Sequence, residues 1–189
     1  MRSKGDANHR RICGSLGAAM VIAATAVHAQ QSLEYELKAT YIYNFLLFVD
    51  WPAEAFQSPT APMRVCVPDN VPFAAAVEKS MREQAGKARG RPVIVARSVA
   101  PGDVGGCHLL FVGEGTADLP EIIAPNKNTN VLTVGDSESI VRKGAIIGFF
   151  NDRNKLRIEV NPEAAARSSL KISSKLMNLA KLVSPGTSG

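Results

Sequence analysis

Two cysteines and one histidine are the side chains in the main part of the chain that could carry out nucleophilic, redox or metal chemistry. Beyond residue 30 these are Cys66, Cys107 and His108. Neighbouring residues on a strand point to opposite faces, so Cys107 and His108 make a poor nucleophile–base pair, and two cysteines with one adjacent histidine fit a zinc site badly. The sequence also lacks a Gly-x-Ser-x-Gly elbow and a Cys-x-x-Cys motif. We therefore expect no catalytic centre, no metal site, no cofactor, and a structural role for His108.

Polar residues that follow three of the predicted strands form a second candidate site. In a parallel sheet, ligands gather beyond the carboxyl ends of the strands, where these residues would lie. The candidates are Asp69, Asn70, Glu114, Thr116, Asp136 and Ser137. The same residue types also begin helices, and the turn at 113–115 lacks the third glycine of a dinucleotide-binding loop. Turn and capping chemistry is the favoured interpretation, and a small-ligand cleft is the alternative.

The elements that must position these residues alternate between short apolar strands and helices. Strands are predicted at 64–67, 93–96, 109–112 and 130–134, and helices at 73–84, near 119–123, after Asp136, from 161 and at 173–183. Residues 155–160 alternate apolar and charged side chains and follow a polar turn, which predicts an antiparallel hairpin with the strand at 145–150. The fold class is therefore α/β, with a mainly parallel sheet flanked by helices and an antiparallel hairpin at one side.

A helix predicted at 33–49 is apolar nearly all round. Between residues 39 and 49 only Thr40 and Asn44 are not apolar, whereas an ordinary surface helix carries an apolar stripe about 100° wide. We expect one face to be buried within the domain and another to contact a second chain. The interface candidates are Tyr41, Tyr43, Phe45, Leu47 and Phe48.

The first 29 residues have the three-part layout of a secretory signal peptide. Basic residues precede an uncharged run from Ile12 to Val27, and cleavage is expected between Ala29 and Gln30. This run is shorter than the roughly 20 residues that span a bilayer, which disfavours the alternative of an uncleaved membrane anchor. Residues 30–189 then form one domain, whose net charge is +2 rather than the +5 of the whole chain. Its basic residues are not clustered, which argues against a nucleic-acid partner.

Export changes the expectation for the two remaining cysteines. In an oxidising compartment a cysteine pair is more often a disulfide than a metal site or a nucleophile, so a Cys66–Cys107 bond is predicted. The two residues would lie on adjacent strands if the strand at 64–67 is placed between those at 93–96 and 109–112. Adjacent strands are about 4.8 Å apart, which is within disulfide reach.

Three groups of segments, taken together, resemble the YfiR family. The segments are Lys38–Phe45 with Trp51-Pro52, Leu132–Asp136 with Gly144–Phe149, and Arg157–Asn161 with Ala164–Arg167 and Ile172–Leu176. They cover nearly the whole of residues 30–189 in order. The resemblance implies an α/β fold, a cysteine pair, a periplasmic location and a tendency to form homodimers.

The same resemblance implies a regulatory function. Such a protein would bind the periplasmic part of an inner-membrane diguanylate cyclase of the YfiN type and hold it inactive, which lowers cyclic di-GMP and biofilm formation. An outer-membrane lipoprotein of the YfiB type would sequester it. A small-ligand sensor of the same fold, acting on another membrane signalling protein, is the alternative. An enzyme is disfavoured by the residue types present.

Overall fold

A long helix and an eight-stranded sheet organise the protein. The computed structural model describes residues 15–67, 73–97, 104, 106–113, 129–137 and 139–183, with side chains from residue 30 onward. In that part the helices are α1 (Ser15–Phe48), α2 (Ala74–Glu83), α3 (Pro162–Arg167) and α4 (Ser174–Leu179), with a 3-10 turn at Ala53–Ala55. The strands are β1 (Val49–Asp50), β2 (Met63–Cys66), β3 (Lys87–Ala88), β4 (Arg91–Ala96), β5 (Leu109–Val112), β6 (Leu132–Gly135), β7 (Ile147–Asp152), β8 (Lys155–Val160), β9 (Lys171–Ile172) and β10 (Lys181–Leu182).

The main sheet has the strand order β10-β8-β7-β6-β5-β2-β4-β3. The run from β7 to β4 is parallel, and β10 pairs with β8 in parallel as well. The pairs β7–β8 and β3–β4 are antiparallel, and β1 and β9 form a small antiparallel sheet of their own. The predicted fold class is therefore confirmed, with the hairpin formed by β7 and β8 and with β10 beyond it.

Helices α1 and α2 contribute to the larger apolar core on one face of the sheet. The inward side of α1 carries Ala39, Ile42, Phe45 and Leu46, which are fully buried. They recur at intervals of three and four residues, which places them on one side of a helix. Because side chains alternate along a strand, a second, smaller cluster lies on the other face. Its members are Cys66, Val104, Cys107, Leu110, Val112, Val131, Ile140, Val141 and Ala145.

Two glycines let the segment that follows β6 pack directly on the sheet. A Cβ atom on Gly135 would overlap the side chain of Ile140, and one on Gly148 would lie 2.8 Å from Cγ2 of Val141. The described residues 139–144 form turns rather than the short helix predicted after Asp136. This close packing fixes the position of the loop at the carboxyl end of β6.

Arg89 fixes the carboxyl end of α1. It lies in the two-residue turn between β3 and β4, where Arg89 and Gly90 have positive φ values of 52° and 78°, as tight hairpin turns require. Its guanidinium donates to the carbonyl oxygens of Leu47 (3.0 Å) and Val49 (3.4 Å) and pairs with Asp50. Carbonyl groups that a helix end would leave without partners are thereby satisfied.

The end of the chain differs from the single helix predicted at 173–183. Helix α4 ends at Leu179, and Ala180 has extended backbone (φ −103°, ψ 152°). The amide of Val183 then donates to the carbonyl of Val160 at 2.8 Å, so pairing with β8 replaces the last helical turns. Leu179, an apolar residue of the predicted helix, is 73% exposed. The helix predicted near 119–123 lies outside the described residues.

Helix α1 begins earlier than the predicted start at residue 33. It runs without interruption from Ser15, so the expected cleavage site between Ala29 and Gln30 lies within it. Among the described residues, no helix is both long and apolar enough to cross a membrane. Cleavage at Ala29 stays a prediction.

Candidate functional site

The outer face of α1 carries exposed apolar side chains. Leu33 and Leu37 are 68% and 46% exposed, and their spacing of four residues places them one above the other. The same helical geometry extends the row through Thr40, Asn44 and Leu47, of which the last two are half-buried. We call these five residues the outer face of α1. Single exposed leucines are ordinary, but two in a row on an anchored helix form a surface suited to a protein partner.

The interface candidates predicted from the sequence lie about two turns further along the helix than Leu33. Phe45, an interface candidate, is fully buried and stacks on Phe149 with 5.9 Å between ring centroids, so it lies on the face of α1 that packs within the domain. Tyr41 packs against both rings, and the hydroxyl of Tyr43 donates to the carbonyl of Lys87 at 3.3 Å.

The remaining candidates lie closer to the surface. Leu47 and Phe48 are half-buried, and Leu47 belongs to the outer face. Leu33 and Leu37 were not among the candidates, because Glu34 and Glu36 separate them and they lie outside the run of consecutive apolar residues. Their four-residue spacing was the signal that could have identified them.

A buried lysine holds the outer face in position. Lys38 is 4% exposed, and its Nζ contacts both carboxylate oxygens of Asp136 at 2.8 Å as well as the carboxylate of Glu34. Burial alone would lower the pKa of Lys38, but the hydrogen bonds and the charges of Asp136 and Glu34 outweigh it and raise this pKa. The ammonium therefore stays charged and ties α1 to the loop after β6.

Two further contacts tie the same part of α1 to α2. Lys79 pairs with Glu36 at 2.8 Å on the surface, and the ring of Tyr35 lies 5.7 Å from that of Phe73. Exposed ion pairs contribute little to stability, so the aromatic contact and Lys38 are the firmer attachments.

A cleft of about 550 Å³ lies at the carboxyl end of β6. It brings together two of the predicted cleft residues, Asp136 and Ser137, with Lys38, Ser139 and Arg142. Asp136 is already bound by Lys38, so its carboxylate serves a structural contact in this structure. The other predicted cleft residues, Asp69, Asn70, Glu114 and Thr116, lie outside the described residues.

The predicted disulfide is present in the structure. Cys66 and Cys107 are joined, with their Cα atoms 5.9 Å apart. The strands have the predicted order, because β2 lies between β4 and β5. Cys66 is opposite Leu110 in the register, and Cys107 reaches it because the chain turns there, with its amide donating to the carbonyl of Val104 at 3.0 Å.

His108 is part of a stack that holds the segment between β1 and β2. Its Nδ1 accepts a hydrogen bond from the amide of Arg64 at 3.0 Å, and its ring stacks on Phe56 at 4.5 Å. The guanidinium of Arg91 lies over the same phenyl ring at 3.7 Å, and the indole of Trp51 donates to the His108 carbonyl at 3.2 Å. These partners, which sequence reasoning did not foresee, give His108 a structural position.

Burial of His108 lowers its pKa, the backbone of Ala55 acts in the opposite direction, and the positive charge of Arg91 lowers the pKa further. The imidazole is therefore held neutral. In the part of the chain that the structure describes, no group of three or more histidine, cysteine or acidic side chains is placed to hold a metal ion.

A family comparison assigns the chain. Residues 35–181 match the family model described as YfiR/HmsC-like. The chain belongs to this family. Membership supports a general role as a periplasmic regulator of cyclic di-GMP signalling, and it confirms the resemblance seen in the sequence.

Other comparisons give more distant likenesses to this YfiR/HmsC-like protein. No curated protein matches it significantly. A crystal structure of a conserved domain protein from Vibrio cholerae is similar over 68% of this chain and 56% of that chain, with 12% identity and a TM-score of 0.46. The ABC domain from Streptococcus pneumoniae in complex with L-Trp is similar over 77% of this chain and 60% of that chain, with 9% identity and a TM-score of 0.47. The chain thus spans less than two thirds of both proteins.

Proposed function

We propose that this protein acts by binding rather than by catalysis, and that it represses an inner-membrane diguanylate cyclase of the YfiN type from the periplasm. Family membership supports a role in cyclic di-GMP signalling, and the outer face of α1 supports action by binding a protein partner. In this proposal Leu33 and Leu37 contact the periplasmic part of the cyclase and stabilise its inactive form.

The observation that carries this proposal is the exposure of two leucines on a helix that is otherwise firmly attached. Burying a leucine side chain contributes about 1.5–3 kcal/mol, and a few such side chains at the centre of an interface commonly dominate its affinity. Glu34 and Glu36 flank the leucines and provide the polar rim that is typical of such interfaces.

Replacing Leu37 by glutamate tests the proposal. The L37E variant should bind the detergent-solubilised cyclase at least about tenfold more weakly, because a charge would be buried without a partner. The same variant should raise cyclic di-GMP in cells that also carry the cyclase. Leu37 is exposed, so circular dichroism and the melting temperature should stay close to those of the wild type.

Leu179 provides a matched control. It is a leucine on α4 with greater exposure, 73%, and L179E should change cyclase affinity less than about twofold. Equal effects of L37E and L179E, or unchanged binding by L37E and L33E, would contradict the proposal.

A homodimer is an alternative occupant of the outer face. If light scattering shows a wild-type dimer that L37E converts to a monomer while cyclase binding persists, the outer face serves the dimer and the proposal fails. A YfiB-type lipoprotein that sequesters the protein should compete with the cyclase in the same binding assay.

A small-ligand sensor is the second candidate, and the contact between Lys38 and Asp136 favours it. A ligand that displaced Lys38 from Asp136 would loosen α1 and so shift the protein between two forms. Replacing Asp136 by asparagine should then reproduce the effect of the ligand on cyclase affinity. If D136N binds the cyclase as the wild type does, the cleft does not communicate with α1.

A further inference from the structure

A second cavity lies at the edge of the sheet opposite the cleft of Asp136. It has a volume of about 710 Å³. Residues at the amino ends of β2, β5 and β6 line it, among them Pro62, His108 and Asn130, and the side is formed by Ile94 of β4. The volume falls within the usual range for small-molecule sites.

Arg64 is the charged side chain that distinguishes this cavity. It is half-buried, and within the described chain its guanidinium has no hydrogen-bond or ion-pair partner, since only its backbone is engaged. One of its terminal nitrogens lies 3.6 Å from where a Cβ atom on Gly106 would be. Because glycine has no side chain, there is room beside the guanidinium at this position. A half-buried guanidinium with five unused N–H donors is well placed to bind an anion.

The surroundings define the ligand further. Arg64 and Ile94 are opposite each other in the register of β2 and β4, and Ile94 is 50% exposed, which gives an apolar surface beside the cation. Gln57 and Asn130 add amide groups. The acidic residue at the cavity is Glu54, which is exposed, and the buried imidazole of His108 adds no charge because it is neutral. Among the described lining residues there are therefore one cation and one carboxylate, which favour a ligand with a single negative charge over one with two.

We propose that this cavity binds a small organic monoanion, with its carboxylate paired to the guanidinium of Arg64 and its aliphatic part packed against Ile94. The planar guanidinium matches a carboxylate in two parallel hydrogen bonds. This site is separate from the outer face of α1 and from the cleft at Asp136.

Trp51 makes the proposal testable without a labelled ligand. It is the chain's single tryptophan, and its indole donates to the carbonyl of the cavity residue His108. Titrating the full protein with sodium hexanoate should give a saturable change in tryptophan fluorescence and raise the melting temperature. Replacing Arg64 by glutamine should weaken hexanoate binding at least about tenfold, and Arg64→Lys should weaken it by a smaller factor.

Arg82 provides the matched control. It is an arginine on α2 whose side chain is 72% exposed and lies 3.9 Å from the carboxylate of Glu78, so R82Q should bind hexanoate as the wild type does. Ile94→Ser should weaken the binding of hexanoate more than that of acetate, because only the longer aliphatic chain reaches the apolar surface of Ile94.

Several results would overturn the proposal. One is a fluorescence change that never saturates with hexanoate, and another is equal binding of hexylamine, which carries the opposite charge. Inorganic phosphate binding as tightly as hexanoate would refute the preference for a monoanion with an apolar part. If R64Q and R64K are folded and both bind hexanoate like the wild type, Arg64 is not the anion site.

Discussion

Removing the Cys66–Cys107 disulfide by a double replacement with alanine should lower the melting temperature substantially. The two cysteines are 41 residues apart in sequence, and closing a loop of this length stabilises the folded state by about 4 kcal/mol in the chain-entropy model. For a domain of this size each kcal/mol corresponds to about 2–4 °C. The expected loss is therefore about 8–16 °C, and the abundance of the exported protein should fall with it.

Alanine is the suitable replacement because both positions are buried, at 0% and 4% exposure. A serine hydroxyl there would add the separate cost of a buried polar group. Thermal unfolding followed by circular dichroism, with and without reductant, measures the effect. The reduced wild type keeps both sulfur atoms in the core, so its melting temperature separates the cross-link from the packing.

Three results would refute this reasoning. A loss below about 3 °C on reduction would show that the cross-link contributes far less than the loop entropy predicts. A further drop when reductant is added to C66A/C107A would show that reductant acts elsewhere. Two free thiols in the denatured, unreduced protein would show that the bond is absent.

Three other predictions follow from single contacts. Because burial lowers the pKa of His108, the free energy of unfolding measured in urea should fall as the pH drops below about 6.5, where the unfolded chain binds a proton that the folded chain excludes. The H108N variant can accept the hydrogen bond from the Arg64 amide without titrating, so it should flatten this pH dependence, and an unchanged slope would contradict the prediction. Lys38→Met should cost about 3 kcal/mol in the same assay because it leaves the carboxylate of Asp136 without its cation, and a loss under about 1 kcal/mol would show that the pair is dispensable. Asn161→Ala should cost about 1 kcal/mol because the Asn161 side chain accepts the amide of Ala164 at 2.9 Å, whereas the exposed N178A should be neutral.

Local patterns in the sequence predicted the elements that depend on neighbouring residues. Strand β8 has the predicted bounds, because Leu156, Ile158 and Val160 alternate with charged residues. Helix α3 begins where Asn161 and Pro162 predict, since a cap and a first-position proline act within one turn. The order β4-β2-β5 also agreed with the prediction, because short parallel strands and the cysteine pair restrict the arrangement.

Contacts between distant parts of the chain could not be predicted from such patterns. The helical spacing of Leu176, Leu179 and Val183 is real, but hydrogen bonds to β8 determine the conformation after Leu179. Lys38 and Asp136 are 98 residues apart, and nothing in either local sequence indicates the other. For the same reason the sequence could suggest Asp136 as a cleft residue without showing that its carboxylate is bound by Lys38.

Helix α1 is held at two places along its outer face, by Lys38 next to Leu37 and by the guanidinium of Arg89 at Leu47. A surface that is already rigid loses little conformational entropy when a partner docks, so more of the contact energy remains as affinity. Such preorganisation also means that docking requires no slow rearrangement of the helix. Differences between variants of the outer face should therefore appear mainly in how fast the complex dissociates, and hardly in how fast it forms.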